Sequence, residues 1–571
     1  MISLKHRSKA AFLTLTSICA LSAAITHTIQ LPVKNASIYV KQRALFAKTM
    51  AQGLMKYAKG ELDQYTEIES KLAQLYGSLE APSQESIKKA VESLYNAIQN
   101  NPLISIEPGQ FLRGASCSAY QNEGGLDNNS AAARFYAKKG LPLAGDAINF
   151  YNNFDDIIEQ MSNELNINAY RISLAWNRIE PEQGVFDYEA IAFYRDILNT
   201  LLKQGIKPMV VFHHYDIPTW FEDLGGFELE ENGKIFQNFC LTVYTELAEE
   251  LGKCLISMCN APEGPAFKGY FTGDGTPGEI HNLPKTHTVI ANMYYELVDT
   301  ALHIQQKYAE LKKINSQLQR PSIGTQINVV LIDPMHNWKD KLSSAFGCTM
   351  GAYVQSGGTY NFLVNGEYCM YTPDVGFMKE ARGVNVYRYH PNAYKAFDWI
   401  GVNIYSNIFV KGTKKVPNHE LIEEDEERYT DNPNYRNYPE GIYRAVQMIF
   451  DNVAMPLGKL KNKNGKPLPI IVTENGIATK DDAKRTRYYQ RALATITQLI
   501  KDGYPVVGYL PWTSHDNYEW PTETIPQAFG SRNYGFFKVN FDKNSPDYLK
   551  CTLKEGSRYF ADFNKAFFEL A

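Results

Sequence analysis

What this 571-residue sequence lacks removes several classes of function at once. It has no excess of positive charge. Its 58 Lys and Arg stand against 62 Asp and Glu, for a net charge of -4 and a pI near 6.3, so it offers no basic surface to nucleic acid. It holds only 8 cysteines, scattered, with no Cys-x-x-Cys pair and no Cys/His ligand spacing, so no metal is expected. Cys254 and Cys259, flanking one apolar stretch, read as buried thiols. No glycine-rich phosphate loop follows the first apolar strand, which removes the usual cofactor signal of a dinucleotide fold, and no cofactor is expected. No repeat of short period is visible, and beyond residue 29 no stretch is apolar for long enough to cross a bilayer.

The amino terminus carries more information. Lys5, His6, Arg7 and Lys9 precede an apolar run from Ala10 to Ala24 that ends in small residues, the pattern of a secretory signal. Extended to Ile29, the run approaches the length of an uncleaved anchor. Thr14, Thr16, Ser17 and Thr26 dilute it, which favours export. Residues 1–29 are therefore expected to be a signal peptide or membrane anchor. The protein would be periplasmic or extracellular, or attached to a membrane through residues 10–29. Residues 30–105 read as a helical extension without chemistry of its own. Ile68, Leu72, Leu75 and Leu79 recur at helical spacing, as do Ile87, Val91, Leu94 and Ile98, with Pro82-Ser83 as a start signal between the two patterns.

From residue 106 to residue 571 strands and helices alternate. Candidate strands are Phe111–Tyr120, Ala169–Leu174, Pro208–His213, Leu255–Cys259, Ile323–Val330, Trp399–Tyr405, Pro469–Thr473 and Val506–Trp512. Amphipathic runs such as Tyr188–Lys203 and Val289–Lys312 lie between them. Eight strands separated by helical segments predict an α/β fold, a TIM (β/α)8 barrel, over an open doubly wound sheet. Gly357–Tyr371 reads as a long irregular surface loop.

In such a fold the site gathers at the carboxyl ends of the strands. Those ends supply Gln121 after the first strand, Arg171 on the second and His214 after the third. Asn260 closes the fourth, and Asn403 and Tyr405 close the sixth. Glu474 ends the seventh, and Trp512, Glu519 and Trp520 follow the eighth. Amide, imidazole, carboxylate and indole groups converging at one rim are what a polyhydroxylated ring needs. Its hydroxyls take paired hydrogen bonds, and its C–H face takes an aromatic platform. A carboxylate at the tip of a buried strand is costly unless it is paired or used.

These motifs carry a family resemblance. Over about 106–565 the chain resembles glycoside hydrolase family 1, the retaining β-glucosidase-like barrels. Ile471-Val-Thr-Glu-Asn-Gly476 is similar to the family's nucleophile motif. Asp516-Asn-Tyr-Glu-Trp520 is similar to its sugar clamp, and His214-Tyr-Asp-Ile-Pro218 to its His-Trp-Asp-Leu-Pro stretch, with Tyr215 in place of the Trp. The resemblance implies hydrolysis of O-glycosyl bonds in β-glycosides through a glycosyl-enzyme on Glu474. Arg171 would keep Glu474 ionised, and Tyr405 would donate a hydrogen bond to it. Asn260 would bind the 2-hydroxyl, Gln121, His214, Glu519 and Trp520 the remaining hydroxyls, and Trp512 would form the stacking floor, with Asn403 nearby. The branch acting on 6-phosphorylated sugars lacks the acidic clamp residue. Glu519 therefore points to an unphosphorylated glycone, while Arg532 and Tyr534 keep the other option open.

One departure stands out. The family pattern after the fourth strand is Asn-Glu-Pro, with that Glu as general acid and base, whereas this chain has Asn260-Ala261-Pro262. A methyl group can neither protonate a leaving oxygen nor activate water. Such a group contributes about 10²–10⁴-fold, or roughly 3–5 kcal/mol of barrier. Three outcomes are consistent with the sequence: a glycosidase limited to leaving groups that depart unassisted, a surrogate carboxylate at Glu263, Asp274 or Glu279, or an inactive family member that binds sugar.

Overall fold

The computed structural model describes residues 33–58, 68, 70–74, 82–334, 341–373, 383–411, 414–415 and 426–571. The apolar segment of residues 10–29 lies outside the described residues, and so do Leu75 and Leu79. Among the described residues no helix is long and apolar enough to cross a membrane.

Eight parallel strands close on themselves in chain order. They are β1 (Leu112–Ser116), β2 (Ala169–Ser173), β3 (Lys207–Val211), β4 (Leu255–Asn260), β5 (Ser322–Asn328), β6 (Trp399–Asn403), β7 (Ile470–Glu474) and β8 (Val506–Tyr509). The strands are buried on both faces, packed inside against one another and outside against helices, which is why β7 runs Ile-Ile-Val without alternation. All eight predicted strands are present, with ends that differ from the predicted ones by up to four residues. β1 stops at Ser116 because Ser173 Oγ accepts the Ala119 N–H at 2.8 Å and starts a helical turn, Ala119–Asn122. Register then decides the site. Asn260 pairs with Gln326 and Glu474 with Asn403, so polar strand ends share one level at the carboxyl rim.

The predicted loop at Gly357–Tyr371 is a correction. Lys341–Asn365 is a helix, and Glu367–Thr372 pairs antiparallel with Val384–Tyr389. Two glycines of this segment are contact points inside the helix. A Cβ on Gly357 would lie 2.8 Å from the Tyr353 ring, and one on Gly358 would lie 2.7 Å from the Tyr368 ring.

The extension serves two places. Helix Val33–Ala58 lies on this insertion, with Lys41 Nζ 2.6 Å from Glu367 and Gln42 Nε2 donating to the Val386 carbonyl at 3.1 Å. Phe46 meets the Tyr353 and Tyr371 rings edge-on. Helix Gln84–Asn100 starts at Ser83, whose Oγ accepts the Ser86 N–H at 3.1 Å. It buries Ile87, Val91, Leu94 and Ile98 against helices Asp482–Lys501 and Arg558–Leu570. Asn101 Nδ2 then donates to the Ile500 and Tyr504 carbonyls, and Ile104 and Ile106 pack beneath Ala169, Met209, Trp399, Ile471 and Val507. Those residues lie near the amino ends of their strands, so the extension closes the barrel floor, opposite the site. Cys254 and Cys259 are buried and unpaired.

Leu94 is fully buried. L94A should lower unfolding stability by about 2–5 kcal/mol in chemical denaturation. E92A on the exposed face of the same helix should change it by less than about 0.5 kcal/mol. Equal effects would show that the helix does not belong to the barrel's cooperative unit.

Candidate active site

The last residue of β7 holds the centre of the rim. Glu474 Oε1 accepts a bond from Arg171 Nη2 at 2.6 Å, and Oε2 accepts one from Tyr405 Oη at 2.8 Å. Arg171 has no solvent exposure, so the charge pair is what makes burial of either group tolerable. Its Nη1 donates to Asn260 Oδ1 at 3.1 Å and to Gln326 Oε1 at 2.9 Å. Asn260 Oδ1 also accepts from Asn403 Nδ2 at 2.8 Å, and Asn403 Oδ1 accepts from Thr473 Oγ1 at 2.7 Å. Asn260 Nδ2 donates to His214 Nε2 at 3.0 Å. Burial and then the Arg171 charge push the His214 imidazole well below its usual range, so the ring stays neutral and can accept that bond. Burial and then Glu474 push the Tyr405 phenol well above its range, so it remains a donor.

The second half of the rim is aromatic. Trp512 Nε1 donates to Glu519 Oε1 at 3.0 Å, and the Trp512 ring lies 5.9 Å from His214 and 5.7 Å from the Arg171 guanidinium. Trp520 stacks on Tyr120 at 5.3 Å and faces Tyr215 at 6.1 Å. Gln121 comes from the helical turn rather than a strand tip. It donates to the Tyr518 carbonyl at 2.6 Å, beside Glu519, and accepts from Ser118 Oγ. Burial raises the Glu519 carboxyl to about 7. Arg532 is tied to the Glu519, Trp520 and Gln527 carbonyls, and the Tyr534 hydroxyl accepts from Asn432.

The structure thus joins Glu474, Arg171, Tyr405, Asn260, Asn403 and His214 in one hydrogen-bonded network, with Trp512, Glu519, Trp520 and Gln121 beside it. Sequence reasoning missed Gln326, Tyr435 and Lys268. Gln326 was detectable as a polar residue inside an apolar strand. Tyr435, stacked on Tyr405 at 5.2 Å, and Lys268 reach the site from outside the strand tips and gave no signal.

Ala261 is buried at φ +47, donating its N–H to the Gln326 carbonyl, and helix Glu263–Tyr270 begins after Pro262. None of the three surrogate carboxylates is shown in its place. Glu263 accepts from Tyr294 Oη at 2.6 Å and from Thr359 Oγ1, which draws it toward the outer helices. Glu279 pairs with Lys285 and accepts from Asn282 Nδ2. For Asp274, the carbonyl accepts from Tyr136 Oη. The hydroxyl of Tyr215 lies against Gly264, where a Cβ would come within 2.2 Å of it.

Burial raises the Glu263 carboxyl from 4.5 to about 7. The folded state therefore holds a proton that the unfolded state releases between those values, and stability should fall as pH rises across that window. E263Q should flatten this dependence, by up to on the order of 3 kcal/mol between pH 4.5 and pH 7. Denaturant titrations of both proteins across the window check it, and an unchanged slope would place the titration elsewhere.

Comparisons with known proteins agree with this geometry. Residues 105–567 match the family described as Glycosyl hydrolase family 1. Beta-glucosidase 29 of Arabidopsis thaliana is 26% identical over 481 residues, covering 78% of each chain. Furostanol glycoside 26-O-beta-glucosidase of Hellenia speciosa is 24% identical, covering 80% of this chain and 82% of the relative. Among solved structures, the beta-glycosidase from Pyrococcus horikoshii superposes with a TM-score of 0.63 at 26% identity, over 82% of this chain and 96% of its own. A beta-glucosidase from Thermotoga maritima in complex with azafagomine shares the fold, with a TM-score of 0.63 at 21% identity, over 80% of this chain and 98% of its own. With the family match spanning most of the chain and a closed barrel carrying the site at its carboxyl rim, the protein belongs to glycosyl hydrolase family 1 and is β-glucosidase-like.

Proposed function

We propose that the protein is a retaining β-glycosidase with Glu474 as nucleophile and no proton donor of its own. The observation that carries this is the contrast at one rim. Both Glu474 oxygens are held by donors suited to an attacking carboxylate, while Ala261 offers only a methyl group. Glu474 attacks the anomeric carbon, the bond to the leaving oxygen breaks, and its electron pair leaves with the aglycone. Without a proton donor the aglycone must depart as a stable anion, so aryl glycosides react and alkyl glycosides lag. The glycosyl ester then accumulates, because no carboxylate takes the proton from the attacking water. Asn260 binds the 2-hydroxyl, Trp512 stacks on the ring, and Gln121, His214, Glu519 and Trp520 hold the other hydroxyls. The relatives' name, β-glucosidase, supports a β-glucoside. Residues 10–29 support export, with the barrel working outside the cytoplasm or tethered to a membrane.

The same methyl group favours a second reading, a sugar-binding protein that turns nothing over. An activated aryl β-glucoside separates the two. The glycosidase gives a burst of phenol equal to the enzyme concentration, a sugar ester on Glu474 by mass spectrometry, and faster turnover with azide. The binder gives heat of binding and no burst. A261E should raise turnover of alkyl glucosides by about a hundredfold or more. No gain would mean that the rim departs from catalytic geometry beyond this one position.

A further inference from the structure

Helix Glu263–Tyr270, which follows Ala261, sends one cation back over the aromatic wall. Lys268 Nζ lies 5.2 Å from the centre of the Tyr215 ring and 5.9 Å from that of Trp520. Its stem is fixed from behind, since a Cβ on Gly275 would lie 3.1 Å from Lys268 Cβ and the Gly275 N–H bonds the Lys268 carbonyl. Among the described residues Lys268 Nζ has no hydrogen-bond acceptor and no carboxylate within ion-pair distance. It rests on two ring faces, whose negative quadrupoles attract a cation. Its charged neighbours are Arg532, Glu519, Asp274 and Glu474. Glu474 is already paired with Arg171, and Arg532 donates through Nη1 and Nη2 to uncharged backbone carbonyls. Lys268 and Arg532 therefore lie near Asp274 and one clamp carboxyl, Glu519, that burial pushes toward its neutral form, which leaves one positive charge in excess. A neutral sugar leaves that positive excess unmatched, whereas a single negative charge on the sugar relieves it.

We infer that Lys268 is a specificity-determining residue that selects a glycoside whose sugar carries one negative charge, a carboxylate or a sulfate ester, held against the Tyr215–Trp520 wall. A dianionic phosphate matches the count less well, since it brings one negative charge more than the excess. This deepens the sugar-site reading of the proposed function and rests on it. It also qualifies the expectation drawn from Glu519, which excludes phosphate more strongly than it excludes a monoanion.

Calorimetry on the full chain, with phenyl 1-thio-β-D-glucoside, the matching thioglucuronide, and the 6-sulfate and 6-phosphate of the thioglucoside, tests it. The thioglucuronide or the 6-sulfate should bind about tenfold more tightly than the neutral glycoside, as a charge-assisted bond predicts. Whichever of the two binds more tightly identifies the anion. K268M should bring that preference to within about threefold, and K268R, which keeps the charge, should retain it; thermal unfolding of both variants establishes that they fold. Equal or tighter binding of the neutral glycoside, or a preference that survives in K268M, overturns the inference and leaves the proposed function standing. Tightest binding of the 6-phosphate overturns the monoanion assignment. Binding of none of the four overturns the sugar site itself, and this inference with it.

Discussion

The rim depends on one buried ion pair. Arg171 leaves β2 with no solvent exposure and meets Glu474 at the end of β7 at 2.6 Å. Removing either partner would strand a charge at a cost of roughly 3–5 kcal/mol. Its Nη1 donates in turn to the amide oxygens of Asn260 and Gln326, so strands on opposite sides of the barrel are fixed against one another. Tyr405, Asn403, Thr473 and His214 then complete the network, in which Arg171 Nε and His214 Nδ1 have no partner among the described residues. Such a network holds its geometry before any ligand arrives, the condition under which fixed dipoles act most strongly on developing charge.

Against that order the position of Ala261 is conspicuous. The strand, the Asn before it and the Pro after it are in place, and the chain turns through a left-handed residue into the next helix. The residue between them is an alanine and offers no carboxyl. Glu263 is bound to Tyr294 and Thr359, two helices that the barrel uses as cladding. Against the helix that follows lies a phenol, Tyr215, at Gly264, with the Lys268 ammonium over its ring.

The additions to the barrel divide by face. Ile104 and Ile106 close the floor, and helix Gln84–Asn100 clads the side between two barrel helices. Helix Val33–Ala58 supports the insertion between β5 and β6. That insertion contributes Thr359 to the group behind Ala261, so the extension reaches the site's outer support only through an intermediate layer.

Much of this was legible in the residues themselves. Uninterrupted apolar runs specify strands buried on both faces, and so the eight strands and the barrel could be read directly. A polar residue at the end of such a run has nowhere to go but the rim, which is why Glu474, Arg171, Asn260 and Asn403 could be named in advance. Local pattern misled where glycine served contact rather than a turn, as at Gly357 and Gly358, because the same missing Cβ permits both uses. The tertiary structure alone decided where the Glu263 carboxylate is held. Side-chain direction at Glu263 depends on Tyr294 and Thr359, 31 and 96 residues away. It alone brought Lys268 onto Trp520, since a charge two helical turns past a strand carries no mark of the ring it will lie against. Sequence fixes the period of burial along a chain, and long-range packing fixes which partner each buried polar atom meets.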